Sequence, residues 1–177
     1  MLKVLFVCYG NSCRSQMAEA LANHVGAGKV RAFSAGSHPL GVIAQDTYEV
    51  LYEKGITLDG HWSKGLRDVP LSEMDVVIGM GREVACPVPA GFKGRVIKWN
   101  ILDPYGHDRD YFRDVRDLIE SEVRRLLADL AGESGNWKME TGKPKLETGN
   151  SSNQNRQALV PGAKKRVADM EPTEGEP

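Results

Sequence analysis

The stretch Leu2-Lys3-Val4-Leu5-Phe6-Val7-Cys8-Tyr9-Gly10-Asn11-Ser12-Cys13-Arg14-Ser15-Gln16-Met17-Ala18-Glu19 decides the fold. Its first part, Leu2 to Val7, is a short apolar run broken only by Lys3, which predicts a buried strand, and Gln16 to His24 has the pattern of a helix. The Cys-x5-Arg-Ser segment between them therefore joins a strand end to a helix start. At such a junction, free backbone N–H groups and the positive end of the helix dipole make a seat for a tetrahedral oxyanion. That seat is expected to run through Tyr9, Gly10, Asn11, Ser12, Cys13 and Arg14. Gly10 is expected to allow a tight turn, and Asn11 is among the few non-glycine residues that tolerate a left-handed backbone. Arg14 supplies a planar fork of donors for two anion oxygens. Cys8 would lie beneath the anion as a nucleophile, its thiolate favoured by the same N–H groups and by a hydrogen bond from Ser15. The plain alternative is a buried cysteine ending a core strand, and the coincidence of strand, glycine, arginine and serine weighs against it.

Working outward, strand-like and helix-like runs alternate. Val30 to Ala35 predicts a second strand and Val42 to Lys54 a helix with Ile43, Thr47, Val50 and Leu51 on one side. Asp75 to Met80 and Gly94 to Trp99 predict two more strands. Phe112, Val115, Leu118, Ile119, Val123, Leu126, Leu127 and Leu130 recur at helical spacing and mark a long amphipathic helix. The alternation implies an α/β fold: a three-layer sandwich with a central four-stranded parallel sheet and helices on both faces. Ligands of such sheets bind beyond the carboxyl ends of the strands, where Cys8 falls.

With 177 residues, 41% hydrophobic, the chain can bury a sizeable core. A catalytic domain is expected over residues 1–131. Beyond Gly132 the composition turns to Gly, Ser, Asn, Lys, Glu, Pro and Thr without apolar periodicity, so 132–177 is expected to be a disordered tail. The net charge of −1 offers no general attraction for nucleic acid or an anionic membrane. The N-terminal apolar run is too short to span a bilayer and no cleavage pattern follows it, which predicts a cytoplasmic protein. The three cysteines, Cys8, Cys13 and Cys86, cannot all pair and lack the spacing of a zinc site, so in a reducing compartment they read as catalytic or redox-active, with no metal.

The run from Cys8 to Glu19 resembles the low-molecular-weight tyrosine phosphatase superfamily and, within it, the thioredoxin-coupled arsenate reductases. Phe33-Ser34-Ala35-Gly36, the stretch from Gly55 to His61 and Asp103-Pro104-Tyr105-Gly106 are similar to further landmarks of that family, in the same order. By this resemblance Asp103 matches the general acid that protonates the departing oxygen. On residue type alone, Asp103-Pro104 would be an ordinary turn.

Cys8, Arg14 and the loop serve arsenate and phosphate alike, whereas reduction needs further thiols. Cys86-Pro87 resembles the terminal redox cysteine of the reductases, while Met80 stands roughly where they carry another cysteine. Either Cys86 pairs with Cys8 directly or Cys13 is the resolving thiol, and in the phosphatases the cysteine at the Cys13 spacing forms a protective disulfide with the nucleophile. The first expectation is an arsenate reductase-like enzyme with no bound cofactor, reduced by thioredoxin or another dithiol and acting as a monomer. The alternatives are a phosphatase acting on phosphotyrosine through a phosphocysteine, with Tyr9 and Tyr105 flanking the ring, and a non-catalytic oxyanion-sensing module. Some reductases of the family hold a potassium ion. Asn11, Glu19 and Ser34 match three of its ligands, but Lys64 replaces the expected aspartate, so its ammonium is expected to pair with Glu19 and leave activity independent of potassium. The four histidines show no pairing with Cys8 in sequence and are expected at the surface or at helix ends.

Overall fold

A computed structural model describes residues 1–82, 84 and 88–133. The β-branched and aromatic run at the N-terminus forms β1, Leu2–Cys8, which is buried on both faces from Val4 onward. It is followed by α1, Arg14–Val25, then β2, Val30–Gly36, and α2, Gln45–Tyr52. After β3, Val76–Met80, and β4, Arg95–Trp99, the described chain ends with α3, Arg109–Glu133. The four strands are all parallel, in the order β2-β1-β3-β4. The chain leaves β1 toward one edge and later returns to pair β3 on its other side, so the order reverses at β1 and opens a crevice beyond its carboxyl end. Cys8 is the last residue of β1, level with Gly36 of β2.

The period of two in β1 divides the core. Val4 and Phe6 face Met17 and Leu21 of α1, Val50 and Leu51 of α2, and Phe112, Val115, Ile119 and Val123 of α3. Leu5 and Val7 face the other way, with Val77, Val69 and Met74, under a layer that includes two short 3-10 turns at Leu66–Asp68 and Leu71–Glu73. The helices of that second layer are thus single turns, whereas all three α-helices lie on the first side.

Each helix differs in extent from its sequence pattern for an identifiable reason. In α1, Arg14 and Ser15 belong to the first turn, so both are locked to the helix rather than to the loop. α2 begins only at Gln45 because Ala44 is extended, with φ −63° and ψ 139°, and the chain ahead of it is bound to the Cys8 loop. α3 begins at Arg109 because Asp108 caps it, its Oδ1 accepting the Tyr111 N–H at 2.9 Å. It runs to Glu133, past the expected domain boundary at 131; the expected tail from residue 134 onward lies outside the described residues. α2 and α3 are clasped by charge. Arg116, 6% exposed, donates to the Val50 carbonyl at 2.7 Å and to Glu53 at 2.8 Å, and Arg113 grips both oxygens of Glu53.

Candidate active site

The segment from Tyr9 to Cys13 has no regular structure of its own, so its peptide planes are held by neighbours. Ser37, His38 and Leu40, on the strand-exit segment after β2, donate their N–H groups to the carbonyls of Cys8, Tyr9 and Gly10 at 3.0, 2.8 and 3.0 Å. Ser63 adds a hydroxyl to the Gly10 carbonyl at 3.1 Å, and Gln16 Nε2 reaches the Asn11 carbonyl at 3.3 Å. In a trans peptide the C=O and the following N–H point in opposite directions. Carbonyls drawn outward therefore turn N–H groups inward, and the Asn11 N–H indeed points at Cys8 Sγ, 3.2 Å away. Asn11 has the left-handed backbone expected of it, φ 47°. Gly10 lies in the bend of the loop without a positive φ, and its lack of a side chain admits Leu40, whose Cδ1 would lie 2.8 Å from a Cβ there. Gly36 is needed equally closely, since a Cβ would meet the Tyr9 carbonyl at 2.8 Å and the Asn11 nitrogen at 3.0 Å.

Cys8 Sγ also lies 2.9 Å from Ser15 Oγ. Ser15 Oγ accepts from Asn11 Nδ2 at 2.8 Å, which directs the serine proton to sulfur. Both donors stabilise negative charge on Cys8. Arg14 is 1% exposed, and its Nη1 donates to the carbonyls of Met80 and Ile101 at 3.0 and 3.1 Å, which ties it to the carboxyl ends of β3 and β4. Its Nη2 donates to Asp103 Oδ2 at 2.5 Å, while the Tyr105 N–H holds Asp103 Oδ1 at 3.2 Å. Cys8 is thus bonded to Ser15 and Arg14 to Asp103, and the two pairs, spanning up to 95 positions of the chain, meet because Arg14 and Ser15 are consecutive residues of α1. Around its mouth stand exposed apolar groups: Tyr9 stacked on His38 with centroids 4.7 Å apart, Leu40, Leu102 and Tyr105.

Cys13 is buried beside Thr47 and Ser12, and burial pushes its thiol up to about 12, against the opposing pull of hydrogen bonds from those hydroxyls. Cys86 lies outside the described residues. Met80 has its side chain in the apolar core and offers the site only its carbonyl.

Behind the loop is a buried polar frame that sequence reading found only in part. Asn11 Nδ2 also donates to Ser34 Oγ at 2.8 Å, and Ser34 Oγ donates to Glu19 Oε2 at 2.5 Å. Lys64 Nζ lies 3.3 Å from Glu19 Oε2, 3.4 Å from Ser34 Oγ and 3.4 Å from the Trp62 carbonyl. The ammonium therefore sits among the groups that match potassium ligands, and the donor set does not fit a second cation beside it. His61 was not distinguished from the other histidines in the sequence. Its Nδ1 lies 3.0 Å from Gln16 Oε1, and Gln16 Nε2 continues to Asn11 Oδ1 at 2.9 Å. Burial is the main cause that lowers the His61 pKa from its ordinary value, with Glu19 and Asp59 opposing and Lys64 adding to the shift. The resemblance to the potassium-holding reductases pointed to Asn11, Glu19, Ser34 and Lys64, whereas Gln16, His61 and Thr47 gave no separate signal as site residues.

A cysteine at a strand end, cradled by inward N–H groups and followed on a helix by a buried arginine and a serine bonded to the sulfur, defines a thiol enzyme for tetrahedral oxyanions. The family model for low molecular weight phosphotyrosine protein phosphatase matches residues 3–136, and the chain belongs to that family. It is 35% identical over 138 residues to the glutaredoxin arsenate reductase of Synechocystis sp., covering 74% of this chain and 100% of that protein. It is 34% identical over 154 residues to the low molecular weight protein-tyrosine-phosphatase YfkJ of Bacillus subtilis, covering 75% and 98%. Among solved structures, an arsenate reductase in the phosphate binding state superposes with a TM-score of 0.67 at 35% identity, over 73% of this chain and 98% of that one. The α/β fold expected from the strand and helix pattern is the fold of these relatives. No helix among the described residues is long and apolar enough to cross a membrane.

Proposed function

We propose that this protein is an arsenate reductase coupled to a dithiol reductant. The observation that carries the reading is the Cys8 sulfur held by the Asn11 N–H and the Ser15 hydroxyl at the foot of an oxyanion cradle, in a chain 35% identical to a named arsenate reductase over that protein's full length. Cys8 thiolate attacks arsenic, Arg14 and the N–H groups of residues 10–14 stabilise the anionic oxygens, and Asp103 hands a proton to the oxygen that departs as water. The product is a Cys8 sulfur–arsenate adduct. A second thiolate then attacks Cys8 Sγ; the sulfur–arsenic bond breaks, its electron pair passes to arsenic, and arsenite leaves as a disulfide forms. The external dithiol reduces that disulfide by exchange. Cys13, buried and with its thiol pushed up to about 12, is a poor attacking thiol, which favours Cys86 or the incoming reductant. Such a cycle belongs in a reducing compartment, consistent with a cytoplasmic protein.

Hydrolysis of aryl phosphates is the second reading. It is favoured by the exposed Tyr9, Leu40, Leu102 and Tyr105, which would flank an aromatic body above the anion and do nothing for a bare oxyanion. Here Cys8 would form a phosphocysteine that water cleaves. The test compares arsenate reduction, coupled to thioredoxin or glutaredoxin, with nitrophenol release from an aryl phosphate, in wild type and in Cys8→Ser, Cys13→Ser and Cys86→Ser. Arsenate turnover dependent on Cys8 and Cys86 supports the reductase. Nitrophenol release without arsenate turnover supports the phosphatase, and activity that survives Cys8→Ser overturns both.

A further inference from the structure

The Ser12 carbonyl is the one loop carbonyl held by the segment that enters α2. It accepts the Ala44 N–H at 3.2 Å and the Thr47 hydroxyl at 3.0 Å. A threonine inside a helix ordinarily returns its hydroxyl proton to a carbonyl of its own preceding turn. Thr47, fully buried, instead sends it out of α2 to a loop 35 positions earlier in the chain. The Thr47 hydroxyl also lies beside the Cys13 side chain, across the same peptide link from the Ser12 carbonyl.

We propose that Thr47 is a positioning residue for oxyanion binding: by drawing the Ser12 carbonyl outward it turns the Cys13 N–H inward, to the anion. This rests on the reading of the Cys8 loop as an oxyanion site. The geometry has a working parallel two residues earlier in the loop. There the Gly10 carbonyl is held outward by Leu40 and Ser63, and the next N–H, that of Asn11, points at Cys8 Sγ. Cys13 immediately precedes α1, so its N–H is one of the donors that no helical carbonyl satisfies and that a ligand can take.

The test uses inorganic phosphate as probe and the full chain, and measures how well phosphate protects Cys8 from iodoacetamide, with the labelled residue assigned by mass spectrometry. Thr47→Val keeps the shape and removes the hydroxyl; it is expected to weaken phosphate protection about five- to tenfold, the scale of one oriented hydrogen bond. Thr47→Ser keeps the hydroxyl and is expected to stay within about twofold of wild type. In the absence of phosphate, Cys8 in Thr47→Val should be alkylated at the wild-type rate, because Asn11 N–H and Ser15 serve the sulfur and neither touches Thr47. A general loosening of the loop would change that rate too. Ala44→Pro gives a second route: Ala44 already has φ −63°, so proline fits while deleting the other donor to the Ser12 carbonyl, and weaker phosphate protection is again expected. Unchanged protection in Thr47→Val overturns the inference, as does a fall matched by equally slowed alkylation without phosphate. If Thr47→Val does not fold, unchanged protection in Ala44→Pro overturns it. A wild type that phosphate never protects overturns the oxyanion reading itself.

Discussion

Ser15→Ala deletes a single buried oxygen that links Cys8, the proposed nucleophile, to the frame behind it. Ser15 Oγ lies 2.9 Å from Cys8 Sγ and accepts Asn11 Nδ2 at 2.8 Å. Without it the sulfur keeps, among the described residues, the Asn11 N–H at 3.2 Å. A hydrogen bond to a charged acceptor contributes about 1.5–3 kcal/mol, so attack by Cys8 should slow about ten- to a hundredfold. Stability should fall as well, by about 1–3 kcal/mol, because the Asn11 Nδ2 N–H that Ser15 accepted is left without its partner in the buried frame. The second N–H of the same amide keeps Ser34 Oγ at 2.8 Å. The assay is kcat/KM for arsenate and for an aryl phosphate, together with the rate of Cys8 alkylation at fixed pH and the midpoint of urea unfolding. Both kcat/KM values should fall by the same factor, because the step affected precedes the divergence of the two reactions. Alkylation should slow as well, because it draws on the same sulfur and the same lost hydrogen bond. An unchanged kcat/KM for either substrate, or a loss fully explained by unfolding, would refute the assignment of Ser15 to the sulfur.

Three other outcomes are expected. Native Cys13, buried with its thiol pushed up to about 12, should escape iodoacetamide at pH 8 while Cys8 is labelled, and comparable labelling of the two would contradict its packing. Replacing sodium by potassium at constant ionic strength should leave turnover unchanged because Lys64 already holds Glu19; a clear rise would show that a cation competes there. Glu53 is held at about 2, below its ordinary 4.5, first by Arg113 and then by Arg116. A depressed carboxylate stabilises the fold above its unfolded value and loses that contribution as pH falls from about 4.5 toward about 2. Glu53→Gln should flatten this part of the stability–pH curve measured by denaturant unfolding, and an unaltered slope would remove the α2–α3 clasp from acid unfolding.

Much of the fold was legible because burial imposes a period. Val4 and Phe6 against Leu5 and Val7 announce a strand packed on both faces, and Phe112, Val115, Ile119 and Val123 announce one side of a long helix. α2 starts three residues later than the apolar pattern of Val42 and Ile43 suggests, because they lie between Leu40 and Ala44, whose N–H groups are bonded to the loop. The bend at Gly10 was legible but the reason for its glycine was not, since a missing side chain looks the same in sequence whether it frees the backbone or clears space for Leu40. Thr47, Gln16 and His61 were passed over as site residues because polar residues declare their partners only when distant segments meet.

The sequence by itself determined Cys8 as the proposed nucleophile, Arg14 beside it and the strand–loop–helix that carries them, because these lie within one local run whose chemistry depends on neighbours in the chain. The tertiary structure alone decided how the loop is aimed. Its carbonyls are drawn outward by Ser37, His38, Leu40, Ala44, Thr47 and Ser63, and its arginine is fastened to Met80, Ile101 and Asp103. A segment with no hydrogen-bond ladder of its own takes the direction of its donors from whatever packs around it, and that is information held between residues tens of positions apart.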